Sequence, residues 1–207
     1  MISRKYDPLD SPIGIQWPLP VDLGTFIHLL VMTPSLTATE QALLALYEHP
    51  SNKGVKPSNI TGAMLKTPLT GVDRSTSFTV TFSPESPSAP NTLAAQAVLS
   101  CNINAASYDP GVIIRYERGT IAIAAPIFCP KSFTVQYFAD GNAGTVVKEE
   151  TRKFEYVGVG WHFEADEVAR CVRDGKAESE LWGHDKSLLE MEIFDEVRRR
   201  VHRIIVD

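Results

Sequence analysis

Two glycines near the end of the chain, Gly158 and Gly160, stand at the G-x-G spacing of dinucleotide-binding loops, directly before a predicted helix. In such loops the glycines let the backbone approach a pyrophosphate, which binds to the amides at the start of the helix. A site of this kind would make the chain a nicotinamide or flavin enzyme. The residues around the two glycines decide whether it can form.

Those neighbouring residues argue against a dinucleotide site. Phe163 occupies the position of the third glycine, which the motif needs for close packing of helix and strand. Glu164, Asp166 and Glu167 place negative charge at the start of the helix, where it would repel a phosphate. The preceding segment, Arg152–Val157, alternates polar and apolar residues, whereas a central parallel strand is apolar throughout. We therefore predict that this chain alone binds no coenzyme.

Other catalytic patterns are missing from the sequence. It contains no G-x-S-x-G elbow and no P-loop. His162 and Glu164 are two residues apart, so they would point to different sides of a helix. The five histidines show no paired metal-ligand spacing; they are His28, His49, His162, His184 and His202. The residues alone predict no metal site and no self-sufficient active site.

The middle of the chain is rich in segments that alternate between apolar and polar side chains, a pattern typical of half-buried strands. The Arg118-Gly119 pair between two of these segments predicts a β-hairpin. Because no helix separates the strands, we expect an open, predominantly antiparallel sheet. We predict about six strands, at Thr76–Phe82, Ala95–Ile103, Val112–Glu117, Thr120–Ala125, Ser132–Phe138 and within Val146–Val157.

Three helices are predicted around these strands. Gln41–His49 forms a short helix that Pro50 ends. His162–Asp174 is followed by Gly175 at its C-terminal cap and has an apolar stripe of Ala165, Val168, Ala169 and Val172. Asp185 is a predicted N-cap for a last helix to about Val201, with a stripe of Leu189, Ile193, Val197 and Val201. The predicted class is α+β, with helices packed on one face of the sheet.

The bulk composition excludes several classes of protein. The 207 residues carry a net charge of −5, which disfavours a nucleic-acid or anionic-membrane partner. The three cysteines are far apart and form no C-x-x-C pair, so neither a disulfide framework nor a zinc ribbon is indicated. The N-terminus lacks the apolar core of a signal peptide, and we expect a cytoplasmic protein.

Three segments together resemble a known family. Gly160–Arg199, with its E-A-D-E-V-A-R-C core, is similar to the C-terminal region of the glucose–fructose oxidoreductase/inositol dehydrogenase (Gfo/Idh/MocA) family. Leu44–Gly54 and Leu65–Phe82 fit the same region, and the resemblance extends over about Gln41–Arg199. It is closest to the branch of NADP-dependent D-xylose 1-dehydrogenases and dimeric dihydrodiol dehydrogenases of fungal type.

The resemblance implies a division of labour between two domains. In the family an N-terminal Rossmann domain carries the glycine fingerprint and an E-K-P motif with the catalytic lysine, and neither motif is found here. The C-terminal domain is an open antiparallel sheet that lines the substrate site and in several members forms a dimer interface. The implied partners are a second copy, bound through the sheet, and a small sugar or dihydrodiol substrate in full-length relatives, which use NADP.

One catalytic motif of the family has a counterpart near the N-terminus. The branch has a D-[LI]-G-x-Y segment whose tyrosine exchanges a proton with the substrate hydroxyl. Asp22 and Phe26 occupy the positions of its aspartate and tyrosine. Because phenylalanine has no ionisable proton, Phe26 cannot act as a general acid or base. Asp22 fits equally well as the N-cap of a helix.

The resemblance divides the chain into residues 1–40, an irregular divergent segment, 41–200, the substrate and dimerisation domain, and 201–207, a divergent tail. Pro34 lies within about a dozen residues, Ile27–Glu40, that the family pattern lacks. We therefore expect a domain that is inactive alone, taken from an NADP-dependent sugar or trans-dihydrodiol dehydrogenase. The alternatives are a non-catalytic module that interacts through its sheet and a truncated gene product.

Overall fold

A computed structural model describes residues 35–71, 73–86, 88–102, 108–139 and 142–204. Within these ranges, one helix comes first, seven strands follow, and two helices end the chain. In order, they are α1 (Ser35–Leu46), β1 (Asn59–Lys66), β2 (Asp73–Phe82), β3 (Ala95–Asn102), β4 (Val112–Tyr116), β5 (Gly119–Ile123), β6 (Ser132–Ala139), β7 (Asn142–Lys153), α2 (Trp161–Arg173) and α3 (His184–Ile204).

The strands form two antiparallel sheets with neighbours in chain order, β1-β2-β3 and β4-β5-β6-β7. The predicted α+β class with open antiparallel pairing is confirmed, although the described strands number seven and form two sheets rather than one sheet of about six. The predicted hairpin forms between β4 and β5, where Glu117 and Arg118 make the turn and Gly119 already belongs to β5. The segment Val146–Val157 contributes one long strand, β7, which ends at Lys153.

Strand β1 was not predicted from the sequence. Its inward positions are Ile60, Gly62 and Met64, which pair with Val80, Phe78 and Thr76 of β2. A glycine at the central inward position hides the alternation. A β-carbon at Gly62 would lie 3.1 Å from both the Phe78 β-carbon and a Val197 methyl group. The glycine is therefore needed for the close approach of α3 to the sheet.

Both sheets contribute to one hydrophobic core, which α1 and α3 cover. The inward side chains of β2, Phe78, Val80 and Phe82, are almost fully buried, while the alternating threonines are not. Burying a side chain of this size contributes roughly 1.5–3 kcal/mol. The largest fully buried side chains are Phe82, Leu43, Leu46, Leu99, Ile114, Ile121, Ile127, Ile193 and Val112.

Helix α3 packs as the apolar pattern predicts, with Leu189, Ile193 and Val197 buried against β1. The ring of Phe194 packs edge-on against Phe78, with ring centroids 6.2 Å apart. The helix starts at His184, so Asp185 lies in the first turn and the prediction that it is the N-cap is wrong. Helix α1 also starts earlier than predicted, at Ser35 rather than Gln41, and it ends at Leu46.

Helix α2 has the predicted location, and Gly175 ends it with a positive φ of 68°. Its predicted apolar stripe does not pack on a sheet. Val168 and Val172 are 63% and 74% exposed, and no residue of α2 is buried. The helix instead turns Phe163, Glu167 and Cys171 towards the protein, so the helices do not all bury their apolar faces as expected.

Candidate functional site

The two predicted catalytic positions, Asp22 and Phe26, lie outside the described residues, and their roles remain predictions. The described part of the chain begins with α1, which follows them in sequence. Polar groups that are buried or have shifted pKa values collect around this helix, at its boundary with α3. Such groups are frequent at functional sites, although structural ion pairs produce them as well.

Glu190 of α3 is the most perturbed carboxyl group at this boundary. Its side chain is 3% exposed, and its Oε1 atom has no hydrogen-bond partner. Burial, and secondarily the charge of Glu40 on α1, raises the pKa of Glu190 to about 8. The group is therefore protonated at neutral pH, and a neutral carboxylic acid can donate a hydrogen bond as well as accept one.

Glu40 extends this acidic cluster towards α2. Burial raises its pKa, and the charge of Glu164 in the first turn of α2 raises it further. The carboxyl groups of Glu40, Glu164 and Glu190 therefore come from three different helices, and the charge of Glu164 opposes the ionisation of Glu40 while that of Glu40 opposes the ionisation of Glu190. We call these three residues the carboxyl cluster. Chemically, burial and a nearby negative charge can keep a carboxyl group protonated near neutral pH, as they do for Glu190.

Lys186 lies one turn before Glu190 and is 5% exposed. Its ammonium group donates to Glu48 Oε1 at 2.6 Å and to the Leu181 carbonyl at 2.8 Å. The same group lies 5.4 Å from the centre of the Trp182 ring. These contacts satisfy a buried charge and join the start of α3 to the turn after α1, so Lys186 has a structural explanation.

A second group of buried polar side chains shapes the loop after α1. Asn52 donates to the carbonyls of Tyr47 and Val55, at 3.0 and 2.8 Å. His49 accepts a hydrogen bond from the Ser51 amide at Nδ1, and burial lowers its pKa. The imidazole is therefore neutral at physiological pH. Its role is to hold the turn, although its Nε2 atom has no partner.

The two glycines of the G-x-G motif have a conformational explanation. Gly158 and Gly160 have φ values of 83° and 91°, which other residues adopt only with strain. A β-carbon at Gly160 would also lie 2.9 Å from the Cys129 sulfur. Tyr156 fixes the same loop by donating to the Cys129 carbonyl at 2.8 Å. Gly160 is thus explained by its contact with Cys129, and Glu164 places negative charge in the first turn of α2, where a pyrophosphate would bind, so these residues do not fit a dinucleotide.

Sequence reasoning did not find the carboxyl cluster. Glu190 stands directly after Leu189, which belongs to the apolar stripe of α3. This position is the only local sign of its burial. No group of three or more His, Cys, Asp or Glu side chains in the described part of the chain is arranged to hold a metal ion. Among the described helices, none is long and apolar enough to cross a membrane.

Comparison with known sequences gives two informative relatives. The chain is 32% identical over 151 residues to trans-1,2-dihydrobenzene-1,2-diol dehydrogenase from Danio rerio, covering 72% of this chain and 40% of that protein. It is 36% identical over 95 residues to D-xylose 1-dehydrogenase (NADP(+)) from Hypocrea jecorina, covering 44% of this chain and 24% of that protein. The chain thus matches less than half the length of either relative. No protein-family profile matches the chain.

Solved structures share the fold at low sequence identity. An oxidoreductase from Sinorhizobium meliloti superposes with a TM-score of 0.57 at 14% identity, over 88% of this chain and 56% of that one. UDP-N-acetylglucosamine 3-dehydrogenase from Acidithiobacillus ferrooxidans gives a TM-score of 0.57 at 8% identity, over 93% of this chain and 58% of that one. At these identities the likeness concerns the fold alone.

The antiparallel sheets and their helices thus form a fold that occupies just over half of these larger structures. Together with the two sequence relatives, this fold is consistent with a C-terminal domain of the Gfo/Idh/MocA-type oxidoreductases. The predicted resemblance to the dihydrodiol and D-xylose dehydrogenases is confirmed.

Proposed function

We propose that the chain serves as the substrate-binding and dimerisation part of an NADP-dependent dehydrogenase that acts on a sugar such as D-xylose or on a trans-dihydrodiol. The observation that carries the proposal is the identity of 32% and 36% to dehydrogenases named for these two substrate classes. The shared fold, which covers just over half of larger oxidoreductases, supports a role as one part of such an enzyme.

The proposed division of labour assigns the coenzyme to another part of the enzyme. Hydride transfer would take place on NADP, which this chain alone does not bind. Its own contribution to the proton transfer would come from the Asp22–Phe26 segment, where Phe26 takes the position of a tyrosine. Because phenyl carbon cannot exchange a proton at neutral pH, the chain as it stands would position a substrate without catalysing proton transfer.

A graft tests the catalytic assignment. The chain is joined to the coenzyme-binding part of the Hypocrea jecorina enzyme, and NADP⁺ reduction is measured with D-xylose and with trans-dihydrobenzenediol. The Phe26 parent is expected to be folded but nearly inactive. Phe26→Tyr is expected to recover part of the roughly 10²- to 10⁴-fold that general acid–base catalysis typically supplies, and deleting Ile27–Pro34 as well, which leaves α1 intact, should recover more. Phe26→Leu is the control that changes the ring without adding a hydroxyl.

Equal activity of the parent, the tyrosine variants and the leucine control would refute the role of Asp22–Phe26. Titration of the ungrafted chain with NADP⁺ tests the other half of the proposal. We expect no binding by calorimetry at micromolar concentrations. Micromolar affinity would refute the assignment of the coenzyme to another part of the enzyme.

The proposed dimer contact is the outer face of the sheet. On β6 and β7 this face carries paired polar side chains, Thr134 with Thr151 at 2.9 Å and Gln136 with Glu149 at 2.8 Å. Such a sheet face can meet its own copy across a two-fold axis. Thr134→Lys would place like charges across that axis and is expected to weaken self-association, whereas Thr92→Lys, at an exposed loop position, would not.

A further inference from the structure

Strand β7 lies at the edge of the sheet β4-β5-β6-β7, and among the described strands only β6 pairs with it. The amide of Phe154, directly after the strand, donates to the Lys131 carbonyl at 2.9 Å, on the β6 side. Successive residues of an antiparallel strand direct their backbone groups to opposite sides. The amides and carbonyls of Glu149, Thr151 and Lys153 therefore point away from β6, and such an edge can pair with another strand.

The charges of this edge restrict how it can pair. Lys148–Lys153 is the part of β7 that pairs with β6 without a register shift, and five of its six residues are charged, with Thr151 as the exception. When such a strand pairs with its own copy about a two-fold axis, the outward backbone groups meet only if the axis passes through a residue, which then lies opposite itself. A charged residue on the axis would face a like charge, and charges on edge strands commonly prevent pairing in this way. Within Lys148–Lys153, only Thr151 can occupy the axis without this repulsion.

We propose that β7 pairs with β7 of a second copy of this chain, antiparallel and with Thr151 on the two-fold axis. In this register Glu150 lies opposite Arg152 of the other copy, and Glu149 lies opposite Lys153 of the other copy. The symmetry forms each pair of opposite charges twice. Residues directly opposite each other share a face of the sheet, so one kind of pair lies on each face.

The charged side chains are available for these pairs. Arg152 and Lys153 are exposed and form no ion pair among the described residues. Glu149 accepts one hydrogen bond from a glutamine of β6, and Glu150 pairs with Lys148 on its own strand. A carboxylate has two oxygens and several acceptor sites, so each glutamate can accept from a second donor.

The edge contact can be separated from the proposed contact through the outer face of the sheet. That face carries Thr134, Thr151 and Glu149, whereas Glu150 and Arg152 alternate with Thr151 and lie on the opposite face. Substitutions at Glu150 and Arg152 therefore test the edge contact, and failure of the face contact leaves the edge proposal open to test.

A charge exchange tests the pairing by sedimentation of the full 207-residue chain at tens of micromolar, where we expect the parent to self-associate. Glu150→Arg turns two attractive cross-strand pairs into repulsive ones and is expected to raise the dissociation constant at least about tenfold. Adding Arg152→Glu to the same chain restores opposite charges and should recover most of that loss. Glu85→Arg makes the same change of charge at an exposed position after β2 and is the matched control, expected to leave the constant unchanged. Circular dichroism verifies that all variants remain folded.

Disulfide cross-linking tests the register. In the proposed register the two copies of residue 151 lie about 5.5 Å apart between α-carbons, a distance that a disulfide can span. Thr151→Cys is therefore expected to form a covalent dimer on mild oxidation. Lys148→Cys keeps every proposed charge pair but lies about 20 Å from its own copy, so it should form no more covalent dimer than the parent, which controls for the native cysteines.

Three results would each overturn the proposal. They are a monomeric parent chain, no recovery of association when Arg152→Glu is added to Glu150→Arg, and equal cross-linking of Thr151→Cys and Lys148→Cys.

Discussion

Replacing Glu190 by glutamine tests whether the carboxyl cluster stores a proton in the folded state. Glutamine has nearly the same shape and can still form hydrogen bonds, but it does not ionise. In the folded chain the pKa of Glu190 is raised from 4.5 to about 8. Between these two pH values the folded state holds about one proton more than the unfolded state, so the free energy of unfolding falls as pH rises.

The magnitude follows from the size of the shift. Between pH 4.5 and 8, the free energy of unfolding falls by about 1.4 kcal/mol for each pH unit when the two states differ by one proton. At pH 7, about 2.5 units above the ordinary pKa, the native glutamate costs about 3 kcal/mol relative to a neutral group of the same shape. The free energy of unfolding of Glu190→Gln is therefore expected to equal that of the parent near pH 4.5. At pH 7 it is expected to exceed that of the parent by up to about 3 kcal/mol.

Urea unfolding at several pH values measures this difference. The control is Glu192→Gln in the same helix, where the carboxylate is exposed and pairs with Lys56. This control should keep the pH dependence of the parent. Of the charged groups near Glu190, Glu40 has its own raised pKa and Lys186 is held by Glu48. Parallel stability profiles for the parent and Glu190→Gln would refute the stored proton.

Two further substitutions test the structural explanations of the site. At Gly160→Ala, the new β-carbon meets both an unfavourable positive φ and the Cys129 sulfur. This variant should therefore be destabilised by about 1 kcal/mol more than Gly175→Ala, where φ is also positive but the space is open. Equal shifts of the melting temperature in the two variants would contradict this. Lys186→Met keeps the buried stem but removes the ion pair to Glu48 and the bond to Leu181, and should cost about 1–3 kcal/mol in urea unfolding, while Lys56→Met, at an exposed pair, should cost less than about 1 kcal/mol.

Features that depend on local periodicity could be predicted from the sequence. The alternation in Thr76–Phe82 identifies β2 because every second side chain faces the core. The stripe of Leu189, Ile193 and Val197 identifies the packed face of α3 for the corresponding reason. Strand β1 was not predicted because a glycine, Gly62, occupies one of its inward positions. The need for glycine there comes from contact with Val197, which is far along the chain.

The direction in which a helix faces is not a local property, and α2 shows the consequence. Its apolar period is regular, yet the side of the helix that packs is determined by Tyr156 and Ser179 rather than by hydrophobicity. The carboxyl cluster has the same origin. Glu40 and Glu190 are unremarkable in sequence and become perturbed only where α1 meets α3. The sequence of neither helix alone shows that these two glutamates lie close together.

The proposed proton transfer depends on the side chain at one position, Phe26. A fold does not determine an activity, because activity depends on the groups placed at its site. A chain can therefore keep the packing of an oxidoreductase domain while a single missing hydroxyl removes its acid–base group. For the same reason, Phe26→Tyr in the graft is expected to raise the rate of NADP⁺ reduction, because it supplies the missing hydroxyl.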